Sequence, residues 1–235
     1  MSGITYDESV ITLDQKQPED KATFTQYMRG ALNKKRIAHG KALLAENQAL
    51  LKKIGHHYHV QPQYIVALWG METDYGTHQG DRNVVQSLAT LAYDGRRADF
   101  FRTELFNALR ILSTDHIAES ELTGSWAGAM GNCQFMPSSY LNFAVDWDKN
   151  GKPDIWHSKA DTFASIANYL HQSGWDDKMG WGEGAQPNDT RELVTPGTEE
   201  EGVFAVTSNY HVILKWNRSR MFAVSVGMLA DELVR

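Results

Sequence analysis

The sequence predicts a mainly α-helical chain with a minor β component (α+β), and three observations carry that prediction. Apolar residues recur three and four apart through most of the chain, while β-like runs are confined to two short stretches after residue 190. Glycine- and aspartate-bearing segments separate the helical runs. With 235 residues, 42% of them hydrophobic, the chain can bury a sizeable core, and no repeat or low-complexity linker divides it. One compact unit spanning 1–235 is expected, with a helical region at 17–60, a core at 61–175, and a small strand region with a closing helix at 176–235.

The net charge of −6 gives no electrostatic case for nucleic acid and argues against adhesion to anionic membranes. A lone cysteine, Cys133, rules out an internal disulfide. The N-terminal residues are polar and do not resemble a signal peptide, and no run is apolar and long enough to span a bilayer.

In chain order, Met1 to about Gln17 reads as an extended arm, and Pro18-Glu19-Asp20 as a helix start. Helical spacing follows from Phe24 to Ile54, with breaks expected at Gly30, Gly40 and Gly55. Lys34–Arg36 reads as a solvated helix face, and His56, His57 and His59 as a helix-end loop rather than a metal cluster. A further helical block covers Val84–Leu112, interrupted at Asp94-Gly95, with Arg96 and Arg97 covering a helix start. Phe163–Trp175 reads as a helix with Ile166, Tyr169 and Leu170 inward. Loop follows to Asp189, then short strands at Leu193-Val194 and Val203–Val206, and a closing helix Met221–Leu233 capped by Asn217 or Ser219.

Three stretches stand apart. In Pro62–Gly76, Pro62 suits a first helical turn, and Ile65, Leu68, Trp69 and Glu72 share one face. Gly76 closes the pattern. Glu72 thus falls in the last turn among apolar neighbours, at the negative end of the helix dipole; both disfavour its charged form, as a general acid requires. A helix-terminal glutamate turned to solvent fits the same spacing. Gly124–Tyr140 surrounds Gln134, Phe135 and Met136 with glycines and small residues, the composition of a ligand-lining loop or of a tight turn between core helices. Asp146–Asp154 follows the calcium-loop pattern, with Asp146, Asp148, Asn150, Gly151, Lys152 and Asp154 at positions one, three, five, six, seven and nine. His157 replaces the usual twelfth-position glutamate, so Asp161 is the candidate late ligand or a helix cap, and the ion is calcium or sodium with a structural role.

With ALWGMETDYG, GSWAGAMGNCQFMPSSY, the calcium-like loop with ADTFASIANYL, and KWNRSRMFAVSVGMLADEL in this order, the chain resembles the lytic transglycosylase B family over almost its whole length. The resemblance implies a lysozyme-like helical catalytic domain acting as a monomer on peptidoglycan glycan strands, in the periplasm or cell envelope. It implies Glu72 as the single catalytic acid and base, no cofactor for the chemistry, and substrate contacts from Ser125, Gln134, Phe135, Met136, Asn168, Tyr169, Trp216 and Asn217. Trp216 and Phe222 stand where better-known members carry tyrosines.

Overall fold

The computed structural model describes residues 3–16, 22–94, 96–114 and 117–235. Helices α1 (Glu8–Gln15), α2 (Phe24–Ala31), α3 (Lys34–Glu46), α4 (Gln48–Tyr58) and α5 (Pro62–Thr73) come first. They are followed by α6 (Val84–Asp94), α7 (Ala98–Thr114), α8 (Pro137–Phe143), α9 (Lys159–Gln172), α10 (Ser208–Trp216) and α11 (Arg220–Val234). Strands β1 (Arg82–Asn83) and β2 (Thr123–Gly124) form an antiparallel pair; β3 (Gly182–Gly184), β4 (Glu192–Val194) and β5 (Phe204–Val206) form an antiparallel sheet in the order β3-β5-β4.

The chain divides into two compact units, Met1–Asp20 with Gly76–Ser165 and Lys21–Tyr75 with Ile166–Arg235. These boundaries do not coincide with the 60/61 and 175/176 divisions expected from sequence. Packing joins segments far apart in the chain, which local composition does not register.

In the first unit α6 packs on α7, α8 on α7, and α1 on α6. The segment expected as an extended arm is instead a helix from Glu8 to Gln15: the Asp7 carboxylate accepts from the Ser9 N–H at 2.9 Å and from Arg82 at 3.0 Å. Val10 is buried, and Arg96 clasps buried Asp14 through its carboxylate and its carbonyl rather than covering a helix start. Arg97 stacks over Phe101, 5.0 Å from the ring centre. Pro18-Glu19-Asp20 and Gly95 lie outside the described residues. Buried Glu104 of α7 starts α8 by accepting from the N–H and hydroxyl of Ser138, at 2.8 and 2.6 Å.

In the second unit α2 opens at a capping box of Thr23 and Gln26. The breaks that follow fall at Leu32-Asn33 and at Asn47, with Asn33 capping α3, so Gly40 and Gly55 lie inside helices. Lys34 and Lys35 are exposed as expected, but Arg36 turns inward: it donates to the Gly30 and Ala31 carbonyls and pairs with Asp74 at 3.0 Å. Elements not predicted from the sequence include α8, β1 and β2 of the first unit and, in this one, α10, capped by Thr207, and β3, which lies in the stretch expected as loop.

The core of this unit is α5, which packs on α3, α4 and α11. Every residue from Tyr64 to Gly70 is buried, so the helix is enclosed on all sides rather than along one stripe. It ends at Thr73, and Asp74 and Tyr75 adopt left-handed conformations at φ 49° and 61° ahead of Gly76 at 88°. Such geometry costs about 1–3 kcal/mol per non-glycine residue. Side-chain bonds offset that cost: Arg36 holds the Asp74 carboxylate, and the Tyr75 hydroxyl donates to the Arg36 carbonyl at 3.0 Å. The Tyr75 ring fits because Gly70 and Gly40 leave room, since a Cβ on Gly70 would stand 2.6 Å from the ring and one on Gly40 2.2 Å from the hydroxyl.

Gly70→Ala is therefore expected to destabilise the protein by about 1–3 kcal/mol in denaturant unfolding, although alanine is the better helix former. A second prediction concerns Asp231, which accepts from the Trp181 indole at 3.1 Å and whose pKa burial raises above the ordinary 3.8. A raised acid favours the fold below its unfolded pKa and loses that contribution as pH rises through the folded value. Asp231→Asn keeps the acceptor without the charge, so it should melt higher than the parent at pH 7, with the difference vanishing below pH 3.8.

Candidate functional site

In the second unit, Glu72 occupies the last turn of α5 and is half-buried. Its Oε1 accepts from the Trp216 indole N–H at 2.7 Å. Trp216 closes α10, and its ring meets Tyr169 of α9 edge-on, with centres 4.7 Å apart and planes at 65°. Tyr169 is 9% exposed, and burial pushes its hydroxyl above the ordinary range against a lowering hydrogen bond with Ser173. Glu72, Tyr169 and Trp216 thus form one cluster drawn from three helices. Asn168, on the same helix as Tyr169, accepts from Gln172 at 2.9 Å. Asn217 accepts from the Ser219 N–H at 3.0 Å, while the cap of α11 is Ser219, which accepts from Phe222. Asp74 is bound to Arg36, so the carboxylate nearest Glu72 in sequence is already committed.

In the first unit, a pocket of about 760 Å³ is lined in part by Gln79, Arg82, Ser125, Trp126, Gln134 and Trp156. Strand pairing at Gly124 and the Met130–Phe135 bridge shape the glycine-rich loop along it. The Ser125 oxygen accepts from the N–H groups of Ala127 and Ala129, at 3.3 and 3.1 Å, which leaves its hydroxyl to donate. Gln134 is left-handed at φ 48° and spends its amide N–H groups on the Gln79 and Gly131 carbonyls, both at 3.0 Å. Its side-chain carbonyl remains as an acceptor. A donor and an acceptor on one pocket wall match the C=O and N–H of an amide. Phe135 is 3% exposed, and neither it nor half-buried Met136 lines this pocket. Gln79 and Trp156 escaped the sequence reading; the only cue was the THQGDRN loop after α5, which offers no periodicity.

The same unit holds the acidic loop. Carboxylate oxygens of Asp146, Asp148 and Asp161 lie within 4.8 Å of one another. Asp161 is wholly buried, accepts from Trp147 and Asp154 at 2.8 and 2.9 Å, and has its pKa raised by that burial. Asp146 accepts from Asn150 and Gly151, the latter at φ 110°. The Asn150 oxygen accepts from the Lys152 N–H at 3.4 Å, and the Lys152 ammonium lies 3.8 Å from Glu121. Asp154 turns to the N–H groups of Trp156 and His157. Three converging hard oxygen donors, one of them desolvated, fit a divalent cation of calcium's preference.

Comparison with known proteins adds three relatives. The model of the family described as transglycosylase SLT domain matches residues 1–193 and 182–231. Membrane-bound lytic murein transglycosylase B of Escherichia coli (strain K12) is 32% identical over 171 residues, covering 72% of this chain and 47% of that protein. The chain therefore spans about half the length of this curated relative. SltB3 from Pseudomonas aeruginosa, solved in complex with NAG-anhNAM-pentapeptide, is similar at 36% identity with a TM-score of 0.90, over 99% of this chain and 72% of that one. Escherichia coli lytic transglycosylase SLT35 in complex with calcium is similar at 25% identity with a TM-score of 0.84, over 99% and 85% of the two chains.

Proposed function

Because the chain belongs to the transglycosylase SLT domain family, we propose that it cleaves the β-1,4 bond from N-acetylmuramic acid to N-acetylglucosamine in peptidoglycan without water, leaving 1,6-anhydro ends. Its mostly helical, lysozyme-like fold is the one the resemblance implied. The observation that carries the proposal is a single half-buried carboxyl, Glu72, held by an indole donor at the end of a buried helix. Protonated Glu72 gives its proton to the glycosidic oxygen as positive charge grows at the muramic acid C1. The resulting carboxylate takes the proton of the C6 hydroxyl, whose oxygen bonds to C1 and closes the anhydro ring. An internal nucleophile of high effective concentration makes a second carboxylate unnecessary, in keeping with the commitment of Asp74 to Arg36.

The donor of Ser125 and the acceptor of Gln134 suit the acetamido or stem-peptide amides of this polymer. Asn168, Tyr169 and Asn217 are assigned to the glycan as well, while Phe135 and Met136 support the loop that carries Gln134. The place of action is the cell envelope, where the substrate lies. No helix among the described residues is long and apolar enough to cross a membrane.

Intact sacculi digested with the protein should release muropeptides lighter by one water than hydrolysis products, read by mass spectrometry. Reducing muramic ends would assign a hydrolase instead. Glu72→Gln should lower turnover by about 10²–10⁴-fold while the protein stays folded.

Calcium is assigned to Asp146, Asp148 and Asp161, with Asn150 and Lys152 in the same loop. Its role is to neutralise three crowded carboxylates and pin the loop. At a hundredfold excess over Kd, calcium should add about 2.7 kcal/mol of stability, visible as a higher Tm. Chelator should reverse that gain, and Asp146→Asn with Asp148→Asn should remove it.

A further inference from the structure

We propose that Trp216 is a positioning residue that decides which oxygen of Glu72 carries the transferable proton, an inference that rests on Glu72 being the acid and base. The indole Nε1–H lies 2.7 Å from Oε1. An indole N–H donates and has no lone pair with which to accept. Oε1 is therefore kept as an acceptor whether Glu72 is neutral or charged, and the acidic proton is assigned to Oε2. The indole is itself restrained, because its ring abuts the buried ring of Tyr169 at 4.7 Å.

One oxygen then serves both halves of the reaction. As the bond from C1 to the leaving oxygen breaks, Oε2 gives its proton to that oxygen. As the C6 oxygen bonds to C1, the C6 hydroxyl proton returns to Oε2, and the enzyme is regenerated with no other reactant. Between these events the carboxylate carries a full charge, and the bond from Trp216 strengthens because its acceptor has become ionic. Unlike a hydroxyl or imidazole in the same place, the indole cannot take the proton and lead it elsewhere.

The test uses Trp216→Phe, which keeps an aromatic ring against Tyr169 and deletes the donor, in the full chain with a soluble glycan-strand oligomer as substrate. A charge-assisted bond of this kind corresponds to a fall in kcat of about 10–100-fold, with KM held within about twofold. The alkaline limb of the kcat/KM profile should move to higher pH, because the carboxylate has lost a donor that favoured it. Unchanged kcat and pH profile would overturn the proposal, as would a loss confined to KM. A second measurement holds even if that variant misfolds: the Trp216 indole proton resonance should shift between the parent and Glu72→Ala, and an identical position refutes the bond. If Glu72→Gln turns over like the parent, the acid–base reading fails instead, whatever Trp216 does.

Discussion

The burial of α5 from Tyr64 to Gly70 is the constraint on which the rest of the second unit depends. A helix satisfies its own backbone bonds, so it can be enclosed by α3, α4 and α11 provided its side chains are apolar. From Tyr64 to Gly70 the side chains are aliphatic or aromatic, and the Tyr64 hydroxyl is satisfied by the Trp181 N–H at 3.1 Å. Glu72 is the only carboxylate in the helix, placed where burial begins to give way. There it is half-buried and accepts from the Trp216 indole.

The way α5 ends matters as much as its burial. Two non-glycine residues in left-handed geometry stop the helix one residue after Glu72, and both are secured by Arg36 of α3. The same guanidinium neutralises Asp74, the carboxylate nearest Glu72 in sequence. Helix termination and the commitment of Asp74 therefore share one arginine.

Much of this was legible in the sequence because it is local. Helical spacing located α5 to α7, α9 and α11, and the Asp/Asn/Gly pattern located the loop in which three carboxylates converge. Asp161 stood out only as a later acidic residue, and its burial between the loop N–H groups completes the cluster. What escaped is non-local. The first helix depends on Arg82 and Arg96, which lie more than seventy residues away and give no signal at positions 7–14. Gly40 reads as a helix break, yet it is a cavity for the Tyr75 ring, which no window of a dozen residues contains. Helix α10, only nine residues long and directly following a strand, was too short for periodicity to separate from its surroundings. The indole that meets Glu72 sits at its far end.

That last contact joins residues 144 positions apart, with the whole of Gly76–Ser165 encoded between them. On the ribosome, Glu72 emerges long before α10 and α11 exist, and the helix that bears it has no finished enclosure until α11 has been made. Contacts of such sequence separation form late and slowly. Glu72 therefore meets its indole partner only after the whole of Gly76–Ser165 has been made.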